Sequence, residues 1–480
     1  MRIRLILFCV VAGLVSVSPL YGAVTVDFTR DVGAMKPLHG VNNSPNRLKG
    51  ALPEFAVAGI PYARLHDTCG PFGGAHYVDV PNVFPDFDAD ENDPKSYDFA
   101  FTDAYLKPIV ASGCKPFYRL GVTIENSAGL KAYNVYPPKD FAKWARICEH
   151  IIRHYNEGWA KGFRWGIEYW EIWNEPESNT MWRGSTREAF FELYRTAALH
   201  LKAKFPGIKV GGYGSTGFLY ADHEGIAEWT PDRERMTKRW LDWFEAFCDY
   251  VSAPETRAPV DFFSWHLYLR EGSGTGPELI ARHAELARKA LDAHGMEKTE
   301  SILDEWNWRP RHFWDEMKGN VGAACVAASF CVMQRAPVDK AMYYDAYPQR
   351  RYCGLFYWPS ERTTPCYEAF VAYNRLFVLG RCAETKSDEA GVHACAATDG
   401  SKRVLLLVNN TGERKIVRPS ITLPKGVGGT FAGRIVHETS PVPSPIDPFV
   451  SGDPVVMPRI RSSSPKTEPN NKPQAETEEK

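Results

Sequence analysis

Two glutamates stand where a carboxylate could do chemistry. Glu175 lies in "EIWNEPE" (171–177), after an aromatic and an amide and before a proline. Glu305 lies in "SILDEWNW" (301–308), 130 positions later, and is followed by Trp306, Asn307 and Trp308. Two carboxylates facing one bond can divide the work of cleaving it. One keeps its proton and gives it to the leaving oxygen; the other attacks carbon or activates a water. The division needs unlike surroundings, which set the two acids' pKa values apart. Asn174 offers an amide to a substrate hydroxyl, and Trp306 and Trp308 offer apolar faces beside Glu305. Each glutamate alone reads equally well as a polar residue ending a strand. As a pair they are a candidate proton donor and nucleophile.

Such groups need a frame that brings them together. Strand-like runs occur at "YARLHD" (62–67), "KPFYRLG" (115–121), "IEYWEIWN" (167–174), "IKVGGYG" (208–214), "VDFFSWHLYL" (260–269), "ESILDEWNW" (300–308) and "KAMYYDAY" (340–347), with "PLHGV" (37–41) as a first strand. Helical patterns over 140–155, 187–205, 237–251, 278–295 and 319–336 alternate with them, and the last is apolar on most sides. Eight strands alternating with helices imply a parallel sheet, closed most economically as a (β/α)₈ barrel. The runs are continuous rather than alternating, as expected for strands covered on both faces. An open doubly wound sheet is the alternative, but no Gly-rich phosphate loop follows the first strand. On a barrel the ends of the fourth and seventh strands share one mouth, so Glu175 and Glu305 can converge.

The same parity nominates further groups. Arg64 and His66 in "ARLHD", and His266 and Tyr268 on the sixth strand, alternate inward and are candidate substrate-binding residues. A structural ion pair with Asp67, or barrel filling, is the alternative for the first two. A tyrosine beside a nucleophilic carboxylate can also donate a hydrogen bond to it. Asn42 and Asn43 after the first strand, and Tyr344 and Asp345 on the eighth, are rim candidates. Trp173 reads as core.

Composition narrows the function classes. A formal net charge of −1 over 480 residues gives no basic excess for nucleic acid. Residues 1–23 read as a signal peptide: Arg2 and Arg4 precede an apolar run from Leu5 to Val17, too short for a span, and small residues follow. The expectation is a secreted or periplasmic protein with no membrane span in the mature chain. An exported chain can pair some of its cysteines, but no particular bridge is legible, and no Cys/His spacing suggests a metal. No cofactor is called for, since carboxylates supply both proton transfer and attack. The loop 80–99 carries Asp86, Asp88 and Asp90 but lacks the glycine and distal glutamate of a calcium loop, and reads as solvated or site-lining. Domain boundaries follow: residues 24–36 contribute an N-terminal strand to an accessory β-sandwich, 37–380 form the barrel, 381–460 the sandwich, and 461–480 a disordered tail.

"EIWNEPE" followed by "LDEWNW" on those strands resembles the clan A retaining glycosidases, and glycoside hydrolase family 39 in particular, whose known members include β-xylosidases and α-L-iduronidases. "ARLHD", the stretch from Met181 to Gly212 and "VDFFSWHLY" support the resemblance, which covers residues 37 to 380. It implies Glu175 as acid/base, Glu305 as nucleophile, a β-sandwich beside the barrel, and an oligosaccharide or glycoside substrate, β-xylosidase-like on polysaccharide-derived oligosaccharides. Trp306 departs from the Phe or Tyr commoner after the nucleophile, which bears on specificity. Arg309 and Arg119 are the cations a carboxylated sugar would want. The competing readings are a catalytically silent carbohydrate-binding barrel, a glycosidase of another clan A family, and an unrelated hydrolase with His266 as base. The last lacks a positioned nucleophilic serine.

Overall fold

The computed structural model describes residues 3–4, 6–8, 22–44, 53–68, 78–123, 135–178, 180–217, 230–270, 276–310, 314–437 and 440–457. Eight parallel strands close into a barrel. They are β1 (Gly40–Asn42), β2 (Tyr62–Leu65), β3 (Lys115–Leu120), β4 (Tyr169–Ile172), β5 (Lys209–Ser215), β6 (Phe262–Arg270), β7 (Glu300–Arg309) and β8 (Lys340–Tyr343). The helices after them are α1 (Pro53–Val57), α2 (Ala100–Ala111), α3 (Phe141–Asn156), α4 (Arg187–Lys204), α5 (Pro231–Ser252), α6 (Glu278–Ala293), α7 (Asn320–Arg335) and α8 (Pro365–Phe377).

Local signals set several helix starts. Asp140 accepts from Lys143 N–H at 2.9 Å to cap α3, and Thr186 accepts from Ala189 N–H at 3.2 Å to cap α4. Helices α1, α2 and α8 are additions to the sequence-derived set. Pro108 inside α2 argues against a helix on propensity alone, and tertiary packing of Tyr105, Leu106 and Ile109 overrides it. The start of α8 was legible in "TTP": Thr364 caps Tyr367 N–H at 3.1 Å and Pro365 takes the first turn.

Inside the barrel, side chains stack in layers. At the bottom Glu300 joins Lys209 at 2.6 Å, Lys340 at 3.2 Å and the Tyr169 hydroxyl at 2.8 Å. Above it Tyr62, Phe117, Tyr169, Phe262, Ile302 and Met342 form an apolar plug. The next level is polar and fully buried, built from Asn42, Arg64, Glu171, Ser264 and Asp304. The strand ends above it carry the candidate site.

Outside the barrel lies a seven-stranded sheet in the order Val455–Met457, Lys415–Thr422, Gly22–Ala34, Arg381–Ser387, Val392–Thr398, Arg403–Asn409, Ile6–Phe8. A small sheet of Ile3–Arg4, Phe431–His437 and Ser440–Phe449 accompanies it. Val24, Val26, Leu405, Leu407, Phe431 and Phe449 belong to one core cluster shared by the two sheets. Cys395, Ala397, Leu406 and Val408 belong to the barrel's core instead, so the large sheet is buried on both faces. Arg335 at the end of α7 donates to Ala394 O at 3.1 Å across that junction.

In the Asp-rich loop, Asp86 and Asp90 accept from the N–H groups of Asp88 and Asn92, at 3.0 and 2.9 Å. Their carboxylates are used locally, as a solvated loop requires. Cys114, Cys148, Cys248, Cys325, Cys331, Cys353, Cys366, Cys382 and Cys395 are buried free thiols. No helix among the described residues is long and apolar enough to cross a membrane. The proposed tail 461–480 and the leader's apolar run from Cys9 onward lie outside the described residues.

Candidate active site

Four strand ends build the site. β4 stops at Ile172, and the chain turns sharply: Trp173 and Glu175 take φ of 72° and 46°. Left-handed backbone at non-glycine residues is strained and clusters at functional sites. The turn is held where Glu175 N–H donates to Gly214 O at 2.9 Å. Gly214 itself must be glycine: a Cβ there would lie 2.9 Å from Arg64 Nη2 and 3.1 Å from Asn174 Oδ1, at φ +58°.

β7 delivers Glu305 by a different device. Its pairing with β6 skips one residue, so Leu303 pairs with Trp265 and Glu305 with His266, leaving Asp304 as a bulge. Bulges re-aim side chains beside active sites. Here Asp304 and Glu305 both point toward the barrel's polar centre. The same shift turns Trp306 and Trp308 the other way: they are 0% and 6% exposed within the apolar core, Trp306 edge-on to Phe330 of α7 at 5.8 Å. Trp308 is therefore a core residue, against the sequence expectation of a sugar-facing surface.

The two carboxyls do meet. One oxygen of Glu175, one of Glu305 and a ring nitrogen of His266 all lie within 4.8 Å of one another. His266 Nδ1 is 2.7 Å from Glu175 Oε1 and 3.7 Å from Glu305 Oε2. The Tyr268 hydroxyl donates to Glu305 Oε1, and Arg64 Nη1 donates to Glu305 Oε2 at 3.2 Å. This trio is the only grouping with metal-ligand spacing among the described residues. Its donors already have partners, and the Arg64 cation on Glu305 opposes a metal ion.

Arg64 and His266 are corrected in role. Arg64 is fully buried and fully engaged: Nε lies 2.8 Å from both Glu171 and Asp304, and Nη2 donates to Asn174 Oδ1 at 2.6 Å. It holds protein groups rather than sugar hydroxyls, and its ion partners are Glu171, Asp304 and Glu305 rather than Asp67. Asn174 spends its oxygen on Arg64, which leaves its amide NH₂ for a substrate. His266, 1% exposed, sits between the two acids. His66 remains a substrate candidate. It is 5% exposed, its Nε2 is 3.4 Å from Asp67, and its Nδ1 has no hydrogen-bond partner among the described residues. Trp173 is core, donating to Met181 O at 2.8 Å. On the rim, Asn43 donates to Asp345 at 3.3 Å and Tyr344 donates to Asp67 at 2.7 Å. Arg119 is paired with Asp79 at 2.6 Å.

Environment separates the acids. Burial pushes Glu175 up to about 7, partly offset by Arg64 and Arg309. Burial pushes His266 down to about 4, so the imidazole is neutral and can give or take a hydrogen bond at Nδ1. Among the described residues His266 Nε2 makes no hydrogen bond, with Asp304 Oδ1 3.6 Å away. The imidazole can thus follow Glu175 through both protonation states. Deeper in, burial and the neighbouring Glu171 hold Asp304 well above the usual carboxylate range, whereas for Glu171 the Arg64 charge together with hydrogen bonds from Asp304, Ser264 and Arg64 outweighs burial and keeps it low. Arg64 thus faces three carboxyls at once, Glu171, Asp304 and Glu305. Glu177 accepts from the Ser215 hydroxyl at 2.7 Å, and burial pushes it to about 7 as well.

Sequence reasoning missed Glu171, Asp304 and Glu177. For Glu171 and Asp304 the available signal was a charge inside a run that must be covered on both faces; Glu177 lies past the end of its strand.

The raised acids carry a stability consequence. Glu175 and Glu177 near 7, and Asp345 pushed by burial to about 8, bind protons more tightly folded than unfolded. Their stabilisation is complete below about pH 4.5 and is lost as pH rises through 7 to 8. Glu175→Gln should raise stability at pH 8.5 by on the order of 1–2 kcal/mol and change little at pH 5. Denaturant titration at the two pH values checks this; equal effects at both would contradict it.

The comparisons agree with this geometry. The family model described as "Glycosyl hydrolases family 39" matches residues 75–325, just over half of the chain. The chain belongs to that family. A "Beta-xylosidase" of Geobacillus stearothermophilus is 29% identical over 183 residues, covering 36% of this chain and 31% of the relative. The chain thus spans about a third of the length of the curated relatives it matches. Among solved structures, a glucosidase from Croceicoccus marinus shares the fold at TM-score 0.67 and 21% identity, covering 91% of this chain and 96% of that one. A family 39 β-xylosidase from Caulobacter crescentus gives TM-score 0.54 at 18% identity, with 86% and 83% coverage. Both likenesses concern the fold.

Proposed function

We propose that this family 39 member is a retaining glycoside hydrolase, β-xylosidase-like, acting on glycosides or oligosaccharides derived from polysaccharides. The observation that carries it is the pairing of Glu175 and Glu305 within 4.8 Å in unlike surroundings. Retaining pairs stand about 5 Å apart, whereas inverting pairs need about 6.5–9.5 Å to admit a water. Glu305, held by Tyr268 and Arg64, attacks the anomeric carbon as Glu175 gives its proton to the leaving oxygen. A glycosyl ester forms on Glu305 and the glycosidic C–O bond breaks. Glu175, now a carboxylate, takes a proton from water, which attacks the same carbon and releases Glu305. His266 keeps its contact with Glu175 in both steps.

The xylose preference rests on the relatives named β-xylosidase. A panel of aryl glycosides tests it, with product configuration read by proton NMR. Aryl β-xyloside cleaved with retention is the expected result; inversion, or no cleavage of any aryl glycoside, would overturn the reading. A silent carbohydrate-binding barrel predicts one glutamate turned away from the other.

We also propose export, on the apolar run Leu5 to Val17. The mature protein's N-terminal sequence should begin between Pro19 and Val24; an intact Met1 in a soluble cytoplasmic fraction would contradict it.

A further inference from the structure

Arg309 ends β7, four residues after Glu305, and no role above uses it. Its guanidinium carbon lies 3.8 Å from the centre of the Tyr268 ring and 5.1 Å from that of Tyr352. Among the described residues its buried Nε has no hydrogen-bond partner, and its guanidinium stacks on both rings. Stacking on Tyr268 has a chemical consequence, because that ring's hydroxyl is the donor to Glu305 Oε1. A cation over a phenol draws density from the ring and makes its O–H a better donor.

The mechanism requires Glu175 to be an acid in one step and a base in the next. The groups around it are His266 and Tyr268 from β6, Arg64 from β2, Glu305 and Arg309 from β7, and Glu177 two residues on. Of these, Arg64 is fully engaged below the site and Glu305 and Glu177 are acids. Arg309 is the remaining cation, and its charge favours the ionised form of Glu175.

We propose that Arg309 is a positioning residue: it clamps Tyr268 so that the phenol holds Glu305, and it sets a positive charge toward Glu175. This rests on the glycosidase assignment for its purpose, though not for its test.

The test compares Arg309→Met, which loses charge and clamp, with Arg309→Lys, which keeps the charge. Glu175 is titrated by carbon-13 NMR in protein labelled at glutamate carboxyls, its signal assigned with Glu175→Gln. In Arg309→Met the Glu175 midpoint should rise by roughly half a pH unit or more, and in Arg309→Lys it should stay near wild type. The fall of kcat/KM at alkaline pH should move upward by the same amount in Arg309→Met alone, since Glu175 must be protonated for the first step. Release of dinitrophenolate in the first turnover should slow in both variants, and this slowing should vanish when Tyr268 is already Phe. A Glu175 midpoint unchanged in Arg309→Met, with both variants folded, would overturn the proposal. If wild type cleaves no glycoside, the function assignment fails alone, and the NMR titration still decides the role of Arg309.

Discussion

Glu305→Ala loses turnover by at least ~10⁴-fold, and azide restores activity with inverted configuration. The nucleophile's removal leaves a vacancy beneath the anomeric carbon, flanked by the Tyr268 hydroxyl and Arg64, which suits a small anion. Glu175→Ala behaves differently. A dinitrophenyl glycoside departs without a proton donor, so its first step survives and the glycosyl-enzyme accumulates. Azide then attacks that ester without needing a base, and the product keeps its configuration. On poor leaving groups the same variant falls by roughly 10²–10⁴-fold. The configuration of the glycosyl azide is the measurement. Swapped outcomes would reverse the two assignments, and two fully active variants would remove the carboxylate pair from the mechanism.

Arg64→Met destabilises the fold by roughly 3–5 kcal/mol at pH 7.5, because it strands Glu171 and Glu305 in the barrel without their counter-charge. The deficit should shrink at lower pH. Arg64 holds Glu171 below its ordinary value, so with Arg64 present that stabilisation stands above the unfolded value and is lost only on strong acidification. Without Arg64 burial weighs more heavily on Glu171, which takes up a proton in milder acid, and its cost falls. Urea titrations at pH 7.5 and pH 5 measure both effects. A loss below ~1 kcal/mol, independent of pH, would mean that the buried network does not depend on Arg64.

The sequence by itself carried the barrel and the two acids. Eight apolar runs at strand length, separated by amphipathic helices, have few closed solutions, and two unusual motifs at the ends of the fourth and seventh runs meet at one mouth. Inward parity also placed Tyr268, and the structure gives it Glu305 as a partner. Trp308 went wrong for a local reason. Glu305 and Trp308 have opposite parity on one strand, so the Asp304 bulge that aims Glu305 inward turns Trp308 outward, and a bulge depends on the neighbouring strand rather than on its own sequence. Arg64 and His266 went wrong for another. Inward direction was legible, but whether an inward cation meets substrate or protein depends on which carboxylates two other strands, β4 and β7, deliver to the same level. Chemistry near the chain is written in residue type and spacing; the proton affinities of Glu175, Asp304 and His266 come from burial and from charges carried by other strands, which only the closed barrel brings within reach.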